Sequence, residues 1–434
     1  MTLILQDPRG VSAPTPRCEV PVCTSLEQRI REAERSLDFA FYGFREQPEL
    51  LEALVEAQRR GVAIRGVVDR EVDGTNAYAD TDAWSVALGG LGDDRAVDLA
   101  TRAARPSFVG AKERCPRPAG TRGPLQCSAF DLGDRCWLGS AAAAEPLVYR
   151  GDIMHDKVLV ADGRYVWTGS TNASDSCAGG YNANLVLSID SPTLAAWYSS
   201  ELTQMFDGRF HRSKRRQGPM RVRLADDLAV EVLFSPQHDP LDSAVVPWVQ
   251  RSGRSIDVAV FFLTHSGVTQ ALIDAHRRGV EVRVLLDATG AANAYSKHEA
   301  LRAAGIPVKV EDFGGKLHTK AAVIDGSVLV AGSMNWTNAG TDENDENTLI
   351  LHSRHLSAQF SGWFDELWRT VPERWLVGRP DPESRDSGSA CTDGADNDYD
   401  GAIDEADPGC GRARSSLVDS VGRVAPKVDG RCSW

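Results

Sequence analysis

A strand–helix–strand unit that occurs twice constrains this chain more than any other feature. In the first copy, residues 34–42 (ERSLDFAFY) alternate apolar and polar side chains as a strand does. A helical stretch runs from Glu49 to Arg60, and residues 61–69 (GVAIRGVVD) form the next strand. In the second copy, residues 253–261 (GRSIDVAVF), a helical stretch ending at Arg278 and residues 279–287 (GVEVRVLLD) repeat the order 219 positions later (253 − 34). Strand, helix and strand in that order predict a parallel βαβ unit covered by helices. The expected class is therefore α/β, with two repeated α/β/α sandwich halves and one site between them. At 434 residues the chain is long enough for two cores.

The repeat continues into residues that carry chemistry. The first copy contains His155, Lys157 and Asp162, then Gly169-Ser170-Thr171-Asn172. The second contains His318, Lys320 and Asp325, then Gly332-Ser333-Met334-Asn335. Both fit H-x-K-x4-D followed by G-S-x-N, with the Asn 17 positions beyond the His in each (172 − 155 and 335 − 318). Side chains alternate along a strand, so each His shares a face with its Lys. One such motif would be a weak signal. Two, at matching places in a repeated frame, are not explained by core histidines and solvated lysines. Asp162 and Asp325 sit five residues past the lysines and are expected to fix the turn after the strand rather than to touch substrate.

On these residues the chain resembles the phospholipase D superfamily, over roughly residues 24–370. The resemblance implies one active site built from both copies, with no metal in catalysis. Lys157 and Lys320 would hold the non-bridging phosphate oxygens, and Asn172 and Asn335, with Ser170 and Ser333, would complete substrate binding. One well-placed donor of this kind is worth about 3–4 kcal/mol in a transition state. One imidazole would attack phosphorus, and the other would protonate the leaving oxygen and then activate water. Glu346 lies 28 positions after His318, and the same count from His155 reaches Ala183. The resemblance implies that a carboxylate here orients the imidazole of the opposite half. His155 is then the expected nucleophile and His318 the acid.

The substrate is left between two classes. Phospholipid, cleaved on its headgroup side at a membrane surface, is the first; nucleic acid is the alternative, and a non-catalytic scaffold is disfavoured by the intact His/Lys pairs. The segments Gly332 to Thr337 and Asp345 to Thr348 look similar to small bacterial nucleases and cardiolipin-hydrolase-like members. Net charge is −13. From Asp381 onward there are 12 acidic and 6 basic residues, which leaves −13 + 6 = −7 for the body. An acidic body argues against loose charge-driven binding to nucleic acid. The basic run from Arg209 to Arg223 is read as a solvated linker. With both motifs in one chain, a monomer is expected to be active.

Domain boundaries are expected at 24–215, 220–376 and 385–434. An insertion at about 70–150 lengthens the first half: 86 positions separate Asp69 from His155, against 31 between Asp287 and His318. Nine cysteines, none in C-x2-C spacing, suggest up to four disulfides and one spare thiol, with Cys18/Cys23 and Cys391/Cys410 closing short loops. A secreted or cell-envelope location is expected, with the cytoplasm as runner-up. The first residues lack the basic and apolar regions of a signal peptide, and no run of 18 apolar residues occurs. In the tail, Asp396, Asp398, Asp400, Asp404 and Asp407 fall at positions 1, 3, 5, 9 and 12 of a loop with Gly401 at position 6. That spacing matches an EF-hand-like calcium loop.

Overall fold

The computed structural model describes residues 1–70, 76–94 and 153–411, together with a two-stranded ribbon at Leu125–Cys127 and Cys136–Leu138. The insertion is thus described only in part, and Cys115 and Cys432 lie outside the described residues. Each repeat builds one mixed sheet. The first sheet has the order Thr2–Leu5, Leu185–Asp190, Tyr165–Gly169, Lys157–Ala161, Ser36–Phe41, Ala63–Val68, Gly92–Asp93. The second runs Arg221–Ala225, Leu228–Ser235, Glu346–His352, Val328–Gly332, Lys320–Ile324, Ser255–Val260, Glu281–Leu286, Val308–Val310. The edge strand Thr2–Leu5 pairs with Leu185–Asp190, so the first sheet begins before residue 24.

The repeated βαβ units are parallel, as the sequence predicts: Ser36–Phe41 lies beside Ala63–Val68, and Ser255–Val260 beside Glu281–Leu286. Pro48–Arg59 and Ser266–Arg277 are the crossover helices. The strand that starts at each motif lysine is antiparallel to both its neighbours. The cause is the tight turn that follows it. Asp162 and Gly163 have φ of 56° and 64°, and Asp325 and Gly326 have 53° and 64°. Each three-residue loop opens on two successive positive φ values, closed by the Arg164 N–H on the Ala161 carbonyl and the Ser327 N–H on that of Ile324, a tight turn for which Asp-Gly is a preferred pair. Each Asp also ties the hairpin to the start of its repeat. The Asp162 carboxylate accepts from the backbone N–H groups of Glu34, Arg35 and Ser36, and that of Asp325 from Gly253, Arg254 and Ser255. Burial works to raise both carboxyl pKa values, but the three backbone donors outweigh it and hold each below the usual range.

Strand alternation puts the two sheets face to face. Val158, Val160, Leu185 and Leu187 from one, and Ala321, Val323, Leu329 and Leu349 from the other, share a single core. Leu159 and Ala161 face the outer helices of the first half, and Ala322 and Ile324 those of the second. Strands covered on both sides read as continuous apolar runs, which is why KVLVA and KAAVI are buried throughout. Pro192–Phe206 and Arg354–Thr370 close this interior; Ser191 and Ser353 cap them by accepting from the N–H groups of Leu194 and Leu356. Among the described residues no helix is long and apolar enough to cross a membrane.

Candidate active site

Each catalytic-type histidine sits on the extended chain two residues before its strand, and the opposite half holds it there. The His155 N–H donates to the Asp345 carbonyl (3.0 Å), and the His318 N–H to the Ala183 carbonyl (2.9 Å). Residue 154 bridges to 345 and residue 317 to 183, so the two halves exchange one short pairing each. Just upstream, Asp69 accepts from the Met154 N–H and Asp287 from the Leu317 N–H, both at 2.8 Å. These two aspartates end the repeated strands 61–69 and 279–287, and their matched positions were the signal that could have marked them.

The side chains then converge. His155 Nδ1 lies 2.7 Å from Glu346 Oε1, so the carboxylate of one half backs the imidazole of the other. Ser333 Oγ donates to Glu346 Oε2 at 2.7 Å. On the other side, His318 Nδ1 faces Asn184 Oδ1 at 3.2 Å, and Ser170 Oγ donates to the same oxygen at 2.9 Å. Lys157 Nζ donates to the His155 carbonyl, and Lys320 Nζ to that of His318 (2.7 Å). Tyr42 and Phe261, equivalent residues at the ends of the first repeated strands, each lie against one histidine, with ring centroids 5.4 and 5.1 Å away.

The counterpart of Glu346 is therefore Asn184, not Ala183. Counting from the histidine misaligns the copies by one, because the first has an extra residue between G-S-x-N and the following strand. Strand register settles the matter. Gly169 pairs with Val186 and Gly332 with Thr348. A Cβ on Gly169 would come within 2.1 Å of the Leu185 carbonyl oxygen, and one on Gly332 within 2.1 Å of that of Asn347. The glycine of G-S-x-N is thus a point of close backbone approach, and Leu185 and Asn347 are equivalent.

Ser170 and Ser333 are fully buried, and each gives its hydroxyl proton to the group behind a histidine, so they support the site from behind rather than face a substrate. Asn172 Nδ2 donates to Tyr78 Oη at 2.8 Å, which brings the insertion to the rim of the site. The Oδ1 atoms of Asn172 and Asn335 are buried without a partner.

Charge is crowded here. His155 and His318 are 7 % and 6 % exposed, and both lysines are buried. Burial, then Lys157 and Lys320, push the His155 pKa well below the ordinary histidine value. Lys157 falls to about 8, chiefly through burial. Lys320 is held well below its usual range by burial and by Lys157. Burial raises Glu346 to about 8, against the pull of Lys157, Ser333 and Lys320. The carboxyls of Glu346, Asp156 and Asp69 work against burial at Lys157, and those of Glu346 and Asp287 do so at Lys320.

Two other regions differ from expectation. The Arg209 to Arg223 run is not wholly solvated: Lys214 is buried against Asp345 (2.7 Å) and Glu201, and His211 Nε2 lies 3.1 Å from Asp94. In the tail, a Cys391–Cys410 disulfide closes the loop. Carboxylates of Glu383, Asp396 and Asp398, and of Asp398, Asp400 and Asp407, lie within 4.8 Å of one another. Asp404 is not among them, because its carboxylate accepts from the N–H groups of Asp393 and Gly394, whereas Glu383, from outside the loop, is. A second disulfide joins Cys18 and Cys23, and Cys177 is a buried free thiol.

Two sheets thus carry one His/Lys station each, and each histidine is backed by a side chain of the other half. The family model described as "Cardiolipin synthase, PLD-like domain" matches residues 26–206 and 246–368, and the chain belongs to this family. A mitochondrial cardiolipin hydrolase of Chlamydomonas reinhardtii is 33 % identical over 132 residues, 30 % of this chain and 59 % of that protein. One from Xenopus laevis is 32 % identical over 188 residues, 41 % of this chain and 90 % of that protein. A phospholipase D of Rickettsia prowazekii is 32 % identical over 121 residues, 28 % of this chain and 59 % of that protein. The chain thus spans about 59 % of the length of two of these three relatives. Among solved structures, phosphatidylserine synthase of Haemophilus influenzae superposes with a TM-score of 0.55 at 12 % identity, over 80 % of this chain and 84 % of that one, a likeness of fold.

Proposed function

We propose that the chain is a phospholipase D-type phosphodiesterase that hydrolyses phospholipids on the headgroup side without a catalytic metal. The observation that carries this reading is the crosswise support of the two imidazoles, His155 by Glu346 and His318 by Asn184. With Nδ1 donating to its acceptor, each ring presents Nε2 to the cleft. His155 Nε2 attacks phosphorus. As the N–P bond forms, the bond from phosphorus to the headgroup oxygen breaks, and His318 gives that oxygen its proton. His318 then takes a proton from water, whose oxygen displaces His155 from phosphorus. Lys157 and Lys320 meet the charge on the non-bridging oxygens throughout.

The names of the relatives support a phospholipid substrate. Hydrolysis of cardiolipin, phosphatidylcholine and single-stranded DNA, assayed side by side, tests it. Release of headgroup or phosphatidic acid with intact DNA is the expected result, and DNA cleavage without lipid turnover would replace the reading with a nuclease. One chain supplies both stations, so the monomer is the proposed active form. The disulfides at Cys18–Cys23 and Cys391–Cys410 support work in an oxidising compartment. Calcium in the tail is proposed on the loop spacing together with the oxygen cluster of Glu383, Asp396, Asp398, Asp400 and Asp407; calorimetric titration of calcium into the full chain tests it.

A further inference from the structure

Behind each imidazole stands one acceptor from the opposite half, buttressed by the serine of G-S-x-N, and the two acceptors differ in charge. We propose that Asn184 is a positioning residue that holds His318 as a ready general acid, its uncharged amide standing where the other station carries the carboxylate of Glu346. This rests on the reading of His155 as nucleophile and deepens it.

The orientation of the Asn184 amide follows from its neighbours. Nδ2 donates to the Asn182 carbonyl at 3.3 Å, so Oδ1 must take Ser170 Oγ and His318 Nδ1. An amide oxygen only accepts, so Nδ1 of His318 carries a proton and Nε2 is the ring nitrogen left to act on a substrate. Cys177 Sγ is the other neighbour of Nδ1, at 3.7 Å; it is a weaker acceptor and already receives a bond from Asn182 Nδ2 (3.2 Å). A carboxylate would stabilise the imidazolium with a full charge, whereas an amide offers only a dipole. The imidazolium of His318 is therefore the one that releases its proton more readily.

The surroundings of His318 act in the same direction. Burial, then Lys320, Lys157 and His155, hold its pKa well below the ordinary histidine value, and a backbone hydrogen bond to Ser170 works the other way. Phe261 covers the ring without charge. Glu346 is engaged with His155 and Ser333, and Asp287 with the Leu317 N–H.

The test uses single-turnover formation of the phospho-enzyme by the full chain. Two phosphodiesters are compared, one with an alkyl alcohol and one with p-nitrophenolate as leaving group. Asn184→Ala should slow the alkyl substrate by about 10- to 100-fold, the usual range for a group that orients a functional side chain. The p-nitrophenyl substrate needs little protonation and should change by less than about threefold, which also shows that the variant is folded. In Asn184→Asp the new carboxylate favours the charged ring, so the acid stays protonated to higher pH. The alkaline limb of the first-step rate should move up by about one pH unit. Equal slowing of both substrates, or an unmoved limb, overturns the proposal. Mapping the trapped phosphorus separates the two ideas: phosphorus on His318 defeats the reading of His155 as nucleophile, whereas an unmoved limb with phosphorus on His155 defeats only the role of Asn184.

Discussion

The His155 and His318 stations follow one plan: an aspartate holds the residue before each histidine, a lysine binds back to its carbonyl, and a serine buttresses the group behind the ring. They differ in that group, a carboxylate at 2.7 Å behind His155 and an amide at 3.2 Å behind His318. They also differ one residue earlier. Asp345 is a buried charge, paired with Lys214, where the first copy has Ala183. Duplication thus supplies two equal frames, and a few buried charges make the histidines unequal. An imidazole backed by a carboxylate gains basicity and a fixed ring; one backed by an amide keeps the ring fixed without the added basicity. The proposed two-step displacement makes use of that division.

The strongest way to break the comparison is to remove either ring. His155→Ala and His318→Ala should each lower lipid turnover by about 10⁴-fold or more, and the double variant should be hardly worse, because members of one catalytic unit are non-additive. With a p-nitrophenyl substrate the two variants should separate: His318→Ala still forms the intermediate, while His155→Ala shows no burst. Near-normal turnover in either single variant would mean that the stations work independently.

Next in size is Glu346→Gln. The shape remains, but the glutamine can present its amide N–H to the ring in place of the acceptor oxygen and select the wrong tautomer. A fall of about 10²- to 10⁴-fold is expected for both leaving groups, in contrast to the leaving-group dependence at Asn184. Single-turnover rates measure it, and a fall limited to poor leaving groups would exchange the roles of the histidines.

A smaller effect follows from pH. Lys157 sits near 8, below the usual lysine range, and under the proposed mechanism its charged form is the one that holds phosphate. Above about pH 8 the free site loses that charge, so KM should rise severalfold while kcat changes less, since bound phosphate restores the charged form. Steady-state kinetics from pH 7 to 9.5 check this, and a flat KM would remove Lys157 from phosphate binding. The smallest effect is expected from chelation. EDTA should leave turnover within about twofold while lowering the melting temperature of the tail by a few degrees, as loss of a ligand bound only to the folded form does. Loss of activity restored by Mg²⁺ would contradict the metal-free mechanism.

Much of this was open to sequence reading. The duplicated βαβ frame, the His/Lys pairs and the hairpin role of Asp162 and Asp325 follow from periods of two and 3.6 and from Asp-Gly turn chemistry, which are local properties. Glu346 could be placed behind His155 only through resemblance. The match to Ala183 failed because one extra residue lies in an irregular segment, where counting along the chain has no physical meaning.

What the sequence determined by itself is therefore the repeated frame and the kinds of side chain set at matched places in it. Tertiary structure alone decided which groups meet. Each ring takes its acceptor from the other sheet, so Glu346 serves His155 and Asn184 serves His318. Glu383, 21 positions from Asp404, joins the carboxylates of the acidic loop and accepts from the Asp404 N–H. Lys214 is drawn out of a basic run into a buried pair with Asp345. In each case the contact spans a long stretch of chain, and its geometry comes from sheet register and from the burial of charge, neither of which is encoded in local spacing.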